Sequence, residues 1–352
     1  MSMKKTIFTF IAAATLAACP WVACAQAQPL AASARHTVPV TADNFARAES
    51  DTYFARLARD EAFGKLRHRR ELARITNQTV IRLNRDTLYS SGVFDLDAGP
   101  VTITLPDPGQ RYVSLQVVDE DHYTHHMFYG AGAHTLTRAQ IGTRYVMASM
   151  RFFLDPASPA DVEAVHRLQD AVKVEQPGGP GSFSTPPWDP ASQKGVRDAL
   201  LALAATLPDT DRMFGAKGQV DAVRHLIGSA SAWGGIPEKE TTYLNVVPAR
   251  NDGKTVHALQ VKDVPVDGFW SISVYNAQGY YEPNAQNAYT LNNLSARKEA
   301  DGSVKVQFGG CDGKAPNCLP IMAGWNYMVR LYLPRAQVLN RQWTFPPAQA
   351  MH

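Results

Sequence analysis

The sequence predicts an α+β protein, mostly β with helical segments, built as two β domains with helical material before and between them. Three observations carry this expectation. Short runs that alternate apolar and polar residues occur on both sides of residue 235, two segments between them open with helix-start signatures, and no repeat of solenoid length runs through the 352 residues. Alternation at period two marks half-buried strands, whereas apolar residues three and four apart mark amphipathic helices.

The chain opens with Lys4 and Lys5, followed by an almost unbroken apolar run from Thr6 to Ala18. That run is too short for a membrane anchor and has the length of a signal-peptide core. Pro20 follows, then Ala25-Gln26-Ala27, the small-residue spacing a signal peptidase reads, with Ala23-Cys24-Ala25 as the neighbouring option. The expectation is a signal peptide over 1–27, a flexible leader over 28–40 and a periplasmic or secreted protein. Leu16-Ala17-Ala18-Cys19 also reads as a lipobox, which makes lipid anchoring through Cys19 the alternative. The chain has 35 basic and 32 acidic side chains, with Lys4 and Lys5 among the basic ones. So balanced a chain gives no electrostatic case for nucleic acid or an anionic membrane as partner. No later apolar stretch is long enough to cross a bilayer.

A helix is expected at about 41–63, where Phe45, Tyr53, Phe54 and Leu57 recur at helical spacing, and Lys65 to Arg74 reads as a solvated linker. Val101 to Leu105 alternates, Pro106-Asp107-Pro108-Gly109 is a turn, and Arg111 to Val118 alternates again, so the three predict a hairpin. Another strand is expected near Arg144 to Met150. Ser158-Pro159-Ala160-Asp161 is a helix start, with Val162, Val165, Leu168 and Val172 lining one face. A second helix opens at Asp189-Pro190 and is expected to bury Val196, Leu200, Leu203 and Leu207 before Pro208. Pro177 to Pro187 is a Gly/Pro-rich loop. Later strands are expected at Tyr243–Val247, Val256–Val261, Phe269–Tyr275, Val304–Phe308 and Trp325–Leu333. The first domain then covers 41–235 and the second 236–352, with the split after Trp233-Gly234-Gly235.

Cys311 and Cys318 bracket the turn-rich Asp312 to Asn317. In an oxidising compartment this predicts a structural disulfide, worth about 2–3 kcal/mol on the chain-entropy argument.

Three segments could carry chemistry. In Asp119 to His126, a continued strand places Glu120, His122 and His126 on one face and Asp119, Asp121 and His125 on the other. Either face resembles a carboxylate-plus-imidazole metal site, and a solvated hairpin end is the competing reading. With no second ligand cluster, neither a metal nor another cofactor is expected. Asn84 to Ser91 is either a hydrogen-bonded corner or a site in which Arg85 and Asp86 pair and Tyr89 supplies a proton or stacks on a ligand. Trp270, Tyr275, Tyr280, Tyr281 and Tyr289, beside Asn284, Asn287, Asn292 and Asn293, read as a platform for a neutral polar ligand or as a sheet edge with Asn-rich turns. Gly-x-Ser-x-Gly, a phosphate loop, a cysteine nucleophile and His-Glu-x-x-His are all missing from the sequence.

Several of these segments together resemble a bacterial exported family built from two paired domains of unknown function, types 1254 and 1214. Asn84-Arg85-Asp86-Thr87-Leu88-Tyr89-Ser90 and Phe94 to Pro100 carry the likeness to the first. Gly268 to Tyr275, Asn317-Cys318-Leu319-Pro320, Arg330-Leu331-Tyr332 and Trp343-Thr344-Phe345-Pro346 carry the likeness to the second. The resemblance spans about Asp43 to Pro347. It implies two jelly-roll-like β domains joined by helices and no established reaction. Members are often labelled carboxylesterase, which the missing nucleophile elbow does not support here. Cys318 stands where many members carry Trp. Asp121-His122-Tyr123 is nearer the shared pattern than His125 and His126.

The functional expectation is a small polar ligand held in a cleft of, or between, the two β domains. Asp86, Tyr89 and His122 are the candidate catalytic residues. Asn84, Arg85, Asp121 and Tyr123 are the candidate ligand contacts from the first domain, and Trp270, Tyr275 and Tyr281 from the second. One alternative is a hydrolase or lyase with Asp86 or His122 as general base. Another is an envelope lipoprotein with a structural role. Assembly into a homo-oligomer stays open.

Overall fold

Strand and helix follow one another in a computed structural model that describes residues 37–78 and 80–351. The expected signal peptide, the lipobox and most of the leader lie outside the described residues. The first half runs α1 (Phe45–Arg59), β1 (Arg67–His68), β2 (Thr87–Asp95), β3 (Val101–Leu105), β4 (Val113–Asp119), β5 (Thr124–Tyr129), β6 (Gly132–Leu136), α2 (Arg138–Ile141), β7 (Tyr145–Phe153), α3 (Pro159–Ala171), β8 (Lys173–Glu175), α4 (Pro190–Ala204) and α5 (Ala222–Ser231). The second runs β9 (Thr241–Val246), β10 (His257–Val261), β11 (Trp270–Tyr275), β12 (Thr290–Asn292), β13 (Val304–Phe308), β14 (Cys318–Leu319), β15 (Asn326–Tyr332), α6 (Ala336–Leu339) and β16 (Gln349–Ala350). The protein is thus α+β and mostly β.

Each half is a two-sheet sandwich. Sheet A, in the order β1-β2-β7-β4-β5, packs on sheet B, β6-β3-β8. Their shared core takes Leu88, Phe94, Leu115, Val146 and Phe152 from sheet A and Val101, Ile103 and Leu105 from sheet B. Sheet C, β12-β11-β15-β9, packs likewise on sheet D, β14-β13-β10-β16, around Ile272, Val274, Val329, Val306, Phe308 and Trp325. Burying one such aliphatic or aromatic side chain stabilises by roughly 1.5–3 kcal/mol, so both cores are ample. Helix α3 starts as the sequence dictates: Ser158 accepts from the Asp161 amide and Pro159 fills the first helical position. Asp189 caps α4 in the same way. These caps satisfy amides that have no partner inside the helix.

Three expectations are corrected. The hairpin from Val101 to Val118 is not formed, because β3 pairs with β6 and β8 while β4 pairs with β5 and β7. Pro106 and Pro108 cannot donate to a ladder, so their turn carries the chain from sheet B to sheet A. Arg111 anchors its far end, donating to the Phe153 carbonyl at 2.6 Å and pairing with Asp161. Leu203, expected to be buried, is 50% exposed. The inward stripe of α4 runs through Val196, Leu200 and Ala204 instead, and Leu203 sits beside it.

The third correction concerns Asp119 to His126, where a tight turn over residues 120–123 separates β4 from β5 and no single strand continues. The Asp119 carboxylate accepts from the amides of Asp121 at 2.9 Å and Tyr123 at 2.8 Å, and His122 takes the left-handed conformation with φ 68°. The expected alternating faces therefore do not exist. The His122 ring is buried, with Nε2 accepting from the Gly234 amide at 2.8 Å and Nδ1 meeting the Ser229 hydroxyl at 3.0 Å. That hydroxyl donates onward to the His225 carbonyl, so the network assigns the His122 proton to Nδ1.

Burial, with His225 beside it, holds the His122 pKa well below the ordinary imidazole value. A depressed histidine leaves stability full above a pH of about 6.5 and removes it as pH falls toward the folded-state pKa. Urea unfolding at pH about 7.5, 6.5 and 5.5 should show His122→Gln losing less per pH unit than the parent, by up to about 1.4 kcal/mol; equal slopes would assign the acid sensitivity to other groups. Cys311 and Cys318 form a disulfide, as the sequence predicts. Titration of unfolded, unreduced protein should find neither thiol free, and Cys311→Ser with Cys318→Ser should lower stability by about 2–3 kcal/mol.

Candidate binding site between the two sandwiches

Strands β4, β7, β11 and β15 are buried along their whole length, although each strand keeps polar residues at alternate positions. Those positions share one face per sheet, and the two faces meet. On sheet A the register sets Tyr89 opposite Arg151 and Arg151 opposite Ser114. On sheet C it sets Asn292 opposite Ser271, Ser271 opposite Arg330 and Arg330 opposite Tyr243. Each face thus carries a row of hydroxyl, amide and phenol groups with one arginine in it.

The halves are joined around these rows. Asn84 donates to the hydroxyls of Tyr89 and Tyr332, at 3.1 and 3.2 Å. Phe269 stacks between Phe153 and Tyr332, with centroid distances of 3.8 and 4.0 Å. At the far edge Tyr129 donates to Glu240 at 2.9 Å. There a recess of about 70 Å³ is lined by His125, His126, Lys239 and Glu240, among others. A roomier, largely apolar concavity of about 640 Å³ lies away from this chemistry, on β10 and β13.

Arg151 is 8% and Arg330 2% exposed. Arg151 donates to the Gln116 side chain at 2.9 Å, approaches the Gly234 carbonyl at 3.5 Å and lies over the Tyr89 ring. Arg330 donates to Ser273, the Arg82 carbonyl and the Tyr275 hydroxyl, at 2.9, 2.7 and 2.7 Å. All these acceptors are neutral. Burial works against both charges, but nearby phenols outweigh it and keep the guanidiniums protonated, Tyr89 foremost for Arg151 and Tyr275 for Arg330, where Asp86 also contributes.

The phenols respond in opposite senses. Burial pushes Tyr243, Tyr281 and Tyr332 up. For Tyr89 burial acts the same way, but the Arg151 charge and hydrogen bonds from Thr87, Asn84 and Arg151 overcome it and bring its pKa below the ordinary phenol value. Tyr89 and Tyr243 are only half-buried, so solvent reaches both rows.

The sequence-predicted residues divide between this site and other places. Asn84, Asp86, Tyr89, Tyr275 and Tyr281 come together at the junction. Asp86 is fully buried, and its Oδ1 accepts from Thr290 and Asn292 of sheet C at 3.0 and 3.3 Å. Its Oδ2 has no hydrogen-bond partner. Arg85 does not pair with Asp86; it donates to the Ala73 carbonyl and lies over Tyr289. Tyr275 and Tyr281 touch through their hydroxyls at 3.2 Å and are buried, so they form no open platform. Trp270 points into the second core against Phe345, on the other face of β11. His122, Asp121 and Tyr123 lie at the β4–β5 turn, where Asp121 pairs with Arg47 at 2.6 Å and Tyr123 stacks on His225. Among the described residues no three His, Cys, Asp or Glu side chains gather as a metal site. Sequence reasoning missed Arg151, Arg330, Gln116, Tyr243 and Tyr332 as site residues. The available signal was a lone arginine inside each of two otherwise uncharged strands.

His122 reaches the junction only through the backbone. Gly234 donates to His122 and offers its carbonyl to Arg151, and the Gly235 carbonyl accepts from Gln116 at 2.9 Å. Gly234 has φ 77°, and a Cβ on Gly235 would lie 2.4 Å from the Phe214 ring. Both positions need glycine.

Residues 63–176 match the model of a protein of unknown function (DUF1254), and residues 247–336 match that of a protein of unknown function (DUF1214). No curated protein matches the sequence. Among solved structures, the VPA0106 protein from Vibrio parahaemolyticus is similar, with 16% identity, 88% of this chain and 98% of that chain covered, and a TM-score of 0.67. At that identity the likeness shows the fold alone. An uncharacterised protein from Burkholderia cenocepacia is 14% identical over 83% of each chain, with a TM-score of 0.48. The chain belongs to the family that pairs a DUF1254 domain with a DUF1214 domain, and the two buried arginines come one from each.

Proposed function

We propose that this protein, exported to the periplasm or beyond, binds a small polar molecule in the gap between sheets A and C. One observation carries the reading: two facing rows of polar side chains, each holding a buried arginine whose acceptors are all neutral. Burying a charge without a counter-charge costs several kcal/mol, and such arrangements concentrate at functional sites. The Cys311–Cys318 bond and the signal-like leader support export. Asp86 acts here as an anchor that ties the Asn84–Asp86 corner to β12, and Tyr89 is the residue a ligand meets.

A second reading is favoured by the depressed pKa of Tyr89. A phenol beside a guanidinium, within reach of solvent, is suited to general acid–base work, which would make the protein a hydrolase or lyase with Tyr89 in the role first assigned to Asp86 or His122.

Thermal-shift screening with a library of small polar molecules tests the binding reading. A ligand at 100 times its Kd stabilises by about 2.7 kcal/mol. The expected hit loses most of that shift in Tyr89→Phe, whose own melting temperature stays close to the parent. A library without hits, or hits indifferent to Tyr89→Phe and Asn84→Ala, would remove the site from the gap. Asp86→Asn should lower stability by about 2 kcal/mol in chemical denaturation, the scale of weakened hydrogen bonds to a buried carboxylate; an unchanged midpoint would show that Asp86 is no anchor.

A further inference from the structure

The two arginines are not equivalent, and their difference bears on the sign of the ligand's charge. Arg330 is held by three acceptors from three directions, and its charge is also felt by Asp86. Besides the Tyr89 hydroxyl, Arg151 has two acceptors, one of them as distant as 3.5 Å, out of the five N–H donors a guanidinium offers. The groups whose fields reach it are the phenols of Tyr89, Tyr243, Tyr112 and Tyr332. Arg330 thus has the Asp86 carboxylate within reach, whereas the groups acting on Arg151 are phenols, and its charge is the one left without a carboxylate. A neutral molecule would leave that cation uncompensated. A carboxylate has one negative charge and the planar, two-oxygen shape that a guanidinium binds in bidentate fashion.

We infer that the molecule bound in this gap is a small organic monocarboxylate, whose carboxylate pairs with Arg151 and lies beside the Tyr89 hydroxyl. The inference rests on the reading of the gap as a binding site and adds the charge and class of what fills it. The order of events is plain electrostatics. An isolated guanidinium held in place before binding makes the empty protein less stable than it could be, and the incoming anion recovers that loss as affinity.

The test uses the full-length exported protein and a defined panel of acetate, lactate and benzoate, each beside its neutral amide, with chloride at matched ionic strength and inorganic phosphate as controls. Calorimetry and thermal shift are read on the parent, Arg151→Gln and Arg151→Lys. At least one carboxylate should bind the parent while its amide, chloride and phosphate do not. Its Kd should rise by about 100-fold in Arg151→Gln, the scale expected for losing one partner of a buried charge pair, and by less in Arg151→Lys, which keeps the charge without the fork. The ligand-free Arg151→Gln protein should melt at or above the parent temperature. If the amides bind as well as the acids, and Tyr89→Phe abolishes both, the charge inference fails and the binding gap stands. If neither acids nor amides bind, and Arg151→Gln melts well below the parent, Arg151 is a structural element and both readings fall. Should Arg151→Gln not fold, the acid–amide comparison on the parent still decides the charge.

Discussion

A buried sheet face must be either apolar or fully partnered, and this molecule buries two polar ones against each other. Sheets A and C each spend their apolar face on their own sandwich core. The opposite faces, which in an isolated sandwich would meet water, carry Tyr89, Arg151 and Gln116 on one side and Ser271, Ser273, Arg330 and Tyr243 on the other. Unpaired polar groups in such a place cost as much as a lost hydrogen bond each, so the approach of the halves is set by side chains that can reach across. Asn84, Asp86, Tyr332 and the Phe153–Phe269–Tyr332 stack do this. Most of the remaining structure serves that junction: sheets B and D back the two faces, and α1 covers the part of sheet A that sheet C leaves open, through Phe54 against Val93 and Met147.

The Trp233-Gly234-Gly235 segment shows how narrow the fit is. It passes between the β4–β5 turn and the arginine row, and it satisfies groups on both sides with backbone atoms alone. Trp233 continues the contact by stacking on His122 and on Tyr53 of α1. His122 is therefore locked in place by this segment and by Ser229. Its two nitrogens are engaged, and its neutral form is the one the surroundings hold.

Much of the fold was legible in the sequence because it follows local rules. Ser158-Pro159 and Asp189-Pro190 announce helices through capping chemistry that operates within four residues, and the alternation in Val101 to Leu105 and in Val304 to Phe308 announces strands. Pairing is not local. The Pro106–Gly109 turn looked like a hairpin because turn residues carry the same signature whether the chain folds back within one sheet or crosses to another. The site divided on the same line. The Asn84–Tyr89 corner was visible as a dense polar run, whereas Arg151 and Arg330 each stand alone in an apolar strand and acquire meaning only when two distant sheets meet. Trp270 misled for the related reason that period two assigns a face without saying which face is the core.

Tyr89 joins the structural and chemical sides of the junction. Its neighbouring phenols are pushed up by burial, while Tyr89 is drawn down by the Arg151 charge that lies beneath its ring. An anion seated on Arg151 would draw on the same positive charge. Two negative groups cannot both be stabilised fully by one guanidinium, so occupancy of the gap would raise the Tyr89 pKa and keep its hydroxyl protonated, as a hydrogen-bond donor facing the ligand. Without such an anion the pKa of the same hydroxyl lies below the ordinary phenol value. Binding and proton release at Tyr89 are then linked in opposite directions, and by reciprocity whatever ionises Tyr89 must weaken the hold on the anion by the same factor.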